Sequence, residues 1–228
     1  MENAANNTIR PSFGRSFGTG MEVMGKNFLA LLAVVLLVGI VQAPVQALRI
    51  VVEIGGINVF VGIFSLFALA FIFLVVPVFD FGSSYIFVLA ARGEKVDFKH
   101  LVSGFSDNYI SIILANLLTF ALVMIGTILL IIPGIIVSCR LAFVKFLVMD
   151  KKLDPIAAIE ESWRLTAGHG WRIFAMGIVS FFIIIFGILM LIVGIFPAII
   201  WVTSAFSVLY NDVLDEKGEL EKAPATTN

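Results

Sequence analysis

The chain has 228 residues, of which 60% are hydrophobic and 14% are charged. Soluble domains are about 45–50% apolar and about 25% charged, so the composition excludes an ordinary soluble domain. The formal net charge of −1 gives no reason to expect a nucleic acid partner, and one cysteine excludes a disulfide scaffold. The composition is typical of a polytopic membrane protein.

The hydrophobic pattern predicts an all-α integral membrane protein with six transmembrane helices, because a helical span needs about 20 mostly apolar residues. A polar head (1–26) precedes the six-helix domain (27–214), and a polar tail (215–228) follows it. The predicted spans cover 28–48, 57–79, 109–131, 134–149, 173–193 and 196–214. The second span is expected to continue as a helix to residue 91, outside the membrane and covered by the rest of the protein.

Two long apolar stretches are each predicted to form a helix hairpin. Residues 109–147 and 173–209 are too long for one crossing, and each contains a proline near its middle. Proline removes a helical hydrogen-bond donor and glycine permits a tight reversal, so we place the turns at Pro133-Gly134 and around Gly194 and Pro197.

The distribution of basic residues orients the predicted spans. With six crossings, every Lys and Arg except Arg49 falls on one side, which the positive-inside rule assigns to the cytoplasm. We therefore expect a multi-pass protein of the cell (inner) membrane with both termini in the cytoplasm.

A short amphipathic helix is predicted between the fourth and fifth spans. Asp154 is suited to an N-cap and Pro155 to the first helical position. Ile156, Ile159 and Trp163 share one face, and tryptophan favours the membrane interface. Asp150, four residues before Asp154, is also interpreted as a helix cap.

Four stretches of the chain resemble a poorly characterised family of prokaryotic six-helix membrane proteins. They are Ala91-Arg92-Gly93-Glu94-Lys95, Gly104-Phe105, the stretch 131–136 around Pro133-Gly134, and Asp150 with Ala158, Ser162-Trp163 and Gly168. The family is related to the membrane domain of some glycerophosphodiester phosphodiesterases. The resemblance implies a six-helix fold, and it implies no reaction, because the chain carries no phosphodiesterase domain.

Arg140 is the residue with the strongest indication of a function. In a continuous fourth span it lies at membrane depth, which costs on the order of 2.5–3.5 kcal/mol on insertion scales. Such a charge needs a partner in the bundle. The candidates are Asp80, Asp212, Asn116 and Thr119. The alternatives are an anion or lipid-headgroup contact in a cavity and a structural arginine that fixes helix packing.

Other basic residues are predicted to meet the inner membrane surface. Lys145 can extend to the headgroups or pair with Asp212. The candidate headgroup contacts around the amphipathic helix are Lys151, Lys152, Arg164 and Arg172, together with Trp163. Each such Lys or Arg near an anionic membrane surface contributes about 1 kcal/mol of binding free energy.

No catalytic, cofactor or metal site is expected, since the chain lacks a phosphate-binding loop, an HExxH motif and a Cys/His cluster. We therefore expect a non-enzymatic membrane protein that binds membrane lipids or an unidentified membrane or cytoplasmic protein. The alternative function is a transporter or permease for a small anionic or lipidic solute, which would place Arg140 in a water-accessible cavity.

Overall fold

A computed structural model describes residues 11–55, 58–106, 108–190 and 194–218. In these ranges the regular secondary structure is helical, and turns and loops connect the helices. The α-helices are α1 (Phe13–Gly55), α2 (Val59–Leu74), α3 (Val76–Ala91), α4 (Tyr109–Leu129), α5 (Ile131–Arg140), α6 (Val144–Asp150), α7 (Pro155–Thr166), α8 (Gly170–Leu189) and α9 (Ile195–Glu216). Two short 3-10 turns, Phe98–Leu101 and Ser103–Phe105, connect α3 to α4.

Among the described residues, six helical segments are long and apolar enough to cross a membrane, by length and composition. They are Phe13–Ala47, Val59–Ala91, Tyr109–Leu129, Ile131–Asp150, Gly170–Leu189 and Ile195–Glu216. The described part of the protein is therefore all-helical, and it contains six candidate spans, the number expected from the sequence.

The first helix begins before the predicted first span. Helix α1 begins at Phe13 and is kinked at Asn27, whose φ of −117° and ψ of 19° are not helical. The part before the kink packs on α9, where the indole Nε1 of Trp201 donates a hydrogen bond to the carbonyl of Phe17 (2.9 Å). The described part of the predicted polar head is thus a packed helix, in which Ser16, Phe17, Gly20 and Val23 are buried. Residues 1–10 of that head lie outside the described residues.

The predicted second span is formed by two helices with different surroundings. Helix α2 is exposed along most of its length, and Ala68 is its one buried residue. Helix α3 follows a break at Val75 and is mostly buried against α1, α6 and α9. This apolar exposure followed by burial fits a span that continues into a packed region. The predicted start at residue 57 lies outside the described residues.

The first hairpin turns three residues earlier than predicted. Leu130 has an extended backbone (φ −165°, ψ 149°), and Pro133 lies in the first turn of α5. Proline is tolerated there because the first N–H groups of a helix have no intrahelical acceptor. A Cβ on Gly134 would lie 2.8 Å from the Cα of Thr127, so glycine permits the close approach of α4 and α5.

The second hairpin has a similar arrangement. Pro197 lies in the first turn of α9, and a Cβ on Gly194 would lie 2.7 Å from the carbonyl oxygen of Gly187. Residues 191–193, which end the predicted fifth span, lie outside the described residues. The tail is helical to Glu216, and its residues 219–228 also lie outside that part of the chain.

The predicted fourth span is interrupted. Helix α5 ends at Arg140, residues 141–143 form a turn, and α6 begins at Val144. The hydroxyl of Ser162 on α7 donates to the carbonyl of Arg140 (2.7 Å) and accepts from the N–H of Phe143 (3.2 Å). These bonds satisfy backbone groups that the interruption leaves without helical partners.

Candidate functional site

Arg140 lies where α5, α7 and α8 meet. It is the last residue of α5, and the hydroxyl oxygen of Thr166 lies 3.3 Å from its carbonyl oxygen. Ser162 and Thr166 are both fully buried, so α7 holds the backbone of Arg140 in place. This position differs from the predicted one within a continuous helix, because the helix ends at the arginine.

The guanidinium of Arg140 has an aromatic neighbour and an unused donor. Its Cζ lies 5.7 Å from the ring centroid of Trp163, within the range of a cation–π contact. Its Nη1 atom is buried and has no hydrogen-bond partner among the described residues. Leaving a buried donor unsatisfied costs about 1–3 kcal/mol, and more when the donor is charged. A ligand oxygen at Nη1 would remove that cost.

A cavity of about 450 Å³ adjoins Arg140. Its lining is apolar apart from Arg140 and consists of Ile132, Ile135, Ile136, Cys139, Gly170, Trp171 and Phe174. Ile132 and Trp171 are more than 70% exposed, so the cavity borders the outer surface of the helices. An apolar space with one convergent cation suits a ligand that carries both apolar and anionic groups.

A second cavity, of about 840 Å³, continues along α5 and α8. It shares Ile135, Cys139 and Phe174 with the first cavity and extends to Phe181 and Phe182. Its polar residues are Thr127 and Ser138, whose hydroxyls donate to the carbonyls four residues earlier in their helices. We call the two cavities together the α5–α8 groove.

The predicted partners of Arg140 lie elsewhere in the described part of the chain. The Asp80 carboxylate lies 3.8 Å from the Nζ of Lys145, and the Asp212 carboxylate lies 3.3 Å from the Nε of Arg15. The predicted Lys145–Asp212 pair is therefore replaced by two other pairs.

The two polar candidates on α4 do not satisfy Arg140 either. Asn116 is half-buried, and the buried hydroxyl of Thr119 has no hydrogen-bond partner in the described part of the chain. The position of Arg140 within an apolar stretch identified it as a charge that needs a partner. The sequence did not show which helices are its neighbours, so the partner could not be predicted.

Most of the predicted headgroup contacts have protein partners. Arg164 forms a bidentate pair with Glu161 at 2.6–2.8 Å, and the Nζ of Lys151 lies 3.9 Å from the same carboxylate. Arg172 contacts the imidazole of His169 at 2.9 Å. Lys152 is exposed, in a left-handed backbone conformation with φ of 51°. A single acidic residue thus offsets two of the predicted cations.

A buried polar network escaped the sequence-based interpretation. The guanidinium of Arg92 donates to both oxygens of Asp150 at 2.6 Å and, through Nε, to the amide oxygen of Asn211 (3.1 Å). The Tyr210 hydroxyl also donates to Asp150 (2.9 Å). Asp150 is therefore not a cap but an ion-pair partner that joins α3, α6 and α9. Asp154 occupies the predicted N-cap position of α7, and its side chain makes no capping bond.

The contacts of Arg92 and His169, which lie outside the candidate spans, change the pKa values of both side chains. Burial alone lowers the pKa of Arg92, but the hydrogen bonds and negative charge of Asp150 outweigh it and raise that pKa. Burial lowers the pKa of the His169 imidazole, the Arg172 charge adds to this effect, and the Glu216 carboxylate at 2.9 Å opposes it. Arg92 is thus a fixed cation, whereas His169 favours its neutral form.

The described residues contain no group of three or more His, Cys, Asp and Glu side chains that could hold a metal ion. Cys139 is half-buried, and its thiol borders both parts of the groove. The guanidinium of Arg140 carries a full charge, has an unsatisfied donor at Nη1 and adjoins a cavity. These three properties make it the candidate binding group among the described residues.

The comparison with protein families gives one match. The sequence model of a domain of unknown function, DUF7847, matches residues 119–214, which is less than half of the chain. The match contains the α5–α8 groove, α7 and most of α9. No curated protein and no solved structure matches the chain. The match supports similarity to a poorly characterised family and provides no link to the phosphodiesterase membrane domains.

Proposed function

We propose that this protein is a non-enzymatic membrane protein that binds anionic membrane lipid, with the lipid headgroup at Arg140. The observation that carries the proposal is the buried Nη1 of Arg140, which lacks a hydrogen-bond partner and adjoins an apolar cavity. A phosphate or carboxylate oxygen would supply both the missing acceptor and the counter-charge. We also propose that the chain shares its fold with the phosphodiesterase membrane domains. This proposal does not include a shared reaction.

The surroundings of Arg140 support a lipid over a soluble anion. Trp163, beside the guanidinium, is 46% exposed, and Trp171, which lines the cavity next to Arg140, is 78% exposed. Tryptophan is enriched where a protein meets the headgroup region of a membrane. Helix α7 adds Ile156, which is 66% exposed on the outer surface. We propose that α7 lies at the membrane interface with these side chains toward the lipid.

Native mass spectrometry of the detergent-purified protein with phosphatidylglycerol tests this proposal. The Arg140→Gln variant should bind about tenfold more weakly or worse, because a hydrogen bond to a charged group contributes about 1.5–3 kcal/mol. Lys95→Gln removes the same charge from an exposed loop position and should bind as the wild type does. Equal binding by Arg140→Gln and the wild type would overturn the proposal, as would equal binding of zwitterionic phosphatidylcholine.

We also propose that the chain resides in the cell membrane with both termini in the cytoplasm. Arg15 and Asp212 are in contact, so the two ends of the described chain lie close together, and the basic residues favour the cytoplasm for that side. Reporter fusions at the two ends should report the same compartment. Opposite compartments would contradict this topology.

A second candidate function is transport of a small anionic or lipidic solute, which the cavity beside Arg140 favours. Transport requires access from both sides of the membrane in turn. Uptake of anionic lipid or solute by proteoliposomes, dependent on Arg140, would favour this function over binding alone. An unidentified protein partner at the cytoplasmic surface stays a further proposal, supported by the charged surface of α7.

A further inference from the structure

We infer that one acyl chain of the lipid bound at Arg140 lies in the α5–α8 groove. This inference rests on the proposed function and adds the position of the lipid chain. The groove begins beside Arg140 and continues, through Ile135, Cys139 and Phe174, to Phe181. From Arg140 back to Ile131, α5 provides a path roughly 14 Å long.

The chemistry of the groove changes along this path in the way that an anionic lipid requires. The unsatisfied cation is at one end, and apolar side chains line the remainder. The two hydroxyls in the second cavity already donate to backbone carbonyls, so they offer no free donor to an anionic group. A soluble anion would use the cation and leave the larger cavity empty.

The headgroup should determine the affinity and the groove should determine the position of the chain. A lipid tail is already in an apolar medium, so its transfer from the bilayer to the groove gains little hydrophobic free energy. The gain comes from close packing against α5 and α8 and from the charge at Arg140. Obstructing the groove should therefore displace the lipid chain and leave the headgroup contact in place.

The chain provides a matched pair of glycines for this test. Gly177 on α8 lines the second cavity, and a Cβ added there would meet no atom within 4 Å. Gly62 on α2 has the same freedom and lies outside the groove. Gly177→Leu should project into the second cavity and obstruct it, since the position has room for a Cβ, and Gly62→Leu is the control.

Cys139 reports occupancy, because it is the single cysteine of the chain and it borders both cavities. The rate of its alkylation by N-ethylmaleimide is measured in detergent with phosphatidylglycerol, phosphatidylcholine or glycerol phosphate. Each variant is compared with its own lipid-free rate. At a phosphatidylglycerol concentration about ten times Kd, alkylation should slow about tenfold, because the rate follows the unoccupied fraction. Phosphatidylcholine and the chain-free glycerol phosphate should not slow it.

In Gly177→Leu, phosphatidylglycerol should still bind by native mass spectrometry but should no longer slow alkylation, while Gly62→Leu should behave as the wild type. If Gly177→Leu is protected like the wild type, or if bound lipid leaves wild-type Cys139 fully reactive, the inference is overturned and headgroup binding stands. If Arg140→Gln binds phosphatidylglycerol like the wild type, the proposed function fails as well.

Discussion

Asp150 has a side chain that is 2% exposed and that accepts hydrogen bonds from both Arg92 and Tyr210. Truncation to alanine would leave a buried guanidinium and a buried hydroxyl without their acceptor. Removing one partner of a buried ion pair costs about 3–5 kcal/mol. We expect Asp150→Ala to lower the stability of the detergent-solubilised protein by that amount in a denaturation series.

Asp154→Ala is the matched control, since Asp154 is exposed and its side chain makes no capping bond. It should cost less than about 1 kcal/mol, the usual value of a functioning cap. Similar losses in the two variants would show that Asp150 does not form the buried pair.

Individual residues show what a sequence can and cannot reveal. Arg140 could be identified because an arginine between apolar stretches is conspicuous in any membrane protein. Asp150 could not be understood, because its partner is 58 residues away and a carboxylate before a proline-led helix resembles a cap. The resembling stretches nevertheless contained both members of the pair, together with Ser162 and Trp163, which hold and cover Arg140.

At the scale of elements, His169 links the start of α8 to the end of α9. Its Nε2 lies 2.9 Å from Glu216, and burial holds its pKa below the ordinary value of 6.5. The unfolded chain therefore binds the proton more readily than the folded protein. The stabilising contribution is complete above about pH 6.5 and is lost as the pH falls through the lowered pKa of the folded state.

Thermal denaturation between about pH 7.5 and about pH 5 should therefore show a loss of stability, part of which disappears in His169→Gln. Glu216→Gln removes the carboxylate that raises the pKa of His169, so its loss at acid pH should be larger. An unchanged pH dependence in His169→Gln would mean that this histidine does not couple α8 to α9.

The helices themselves were predictable because apolar length and proline position are local properties of a chain. The interruption after Arg140 was not, since residues 140–144 are compatible with a continuous helix. The bonds from Ser162 on α7 stabilise the turn, and that contact joins residues about 20 positions apart. The sequence also did not predict the helical segment before Asn27. Several of its exposed residues are polar, so the sequence of residues 1–26 indicates a polar head, although one side of the helix packs on α9.

At the scale of the whole molecule, the described helices differ in how much apolar surface they bury. The C-terminal half of α9 is almost fully buried, and α3 and α6 are also mostly buried. Helices α2, α4 and α8 instead expose many large apolar side chains. Exposed apolar helices suit a lipid environment, and the buried ion pair suits a packed region that holds the helices together. The α5–α8 groove borders the outer surface of the described helices, and Arg140 lies beside it.

The most direct measurement is an experimental structure of the protein crystallised in a lipidic mesophase that contains phosphatidylglycerol. We predict a headgroup oxygen within hydrogen-bond distance of the Nη1 of Arg140 and continuous chain density along α5 and α8. Lipid-binding by Arg140 would be contradicted by a structure in which Nη1 donates to a protein side chain and the space beside it holds no lipid.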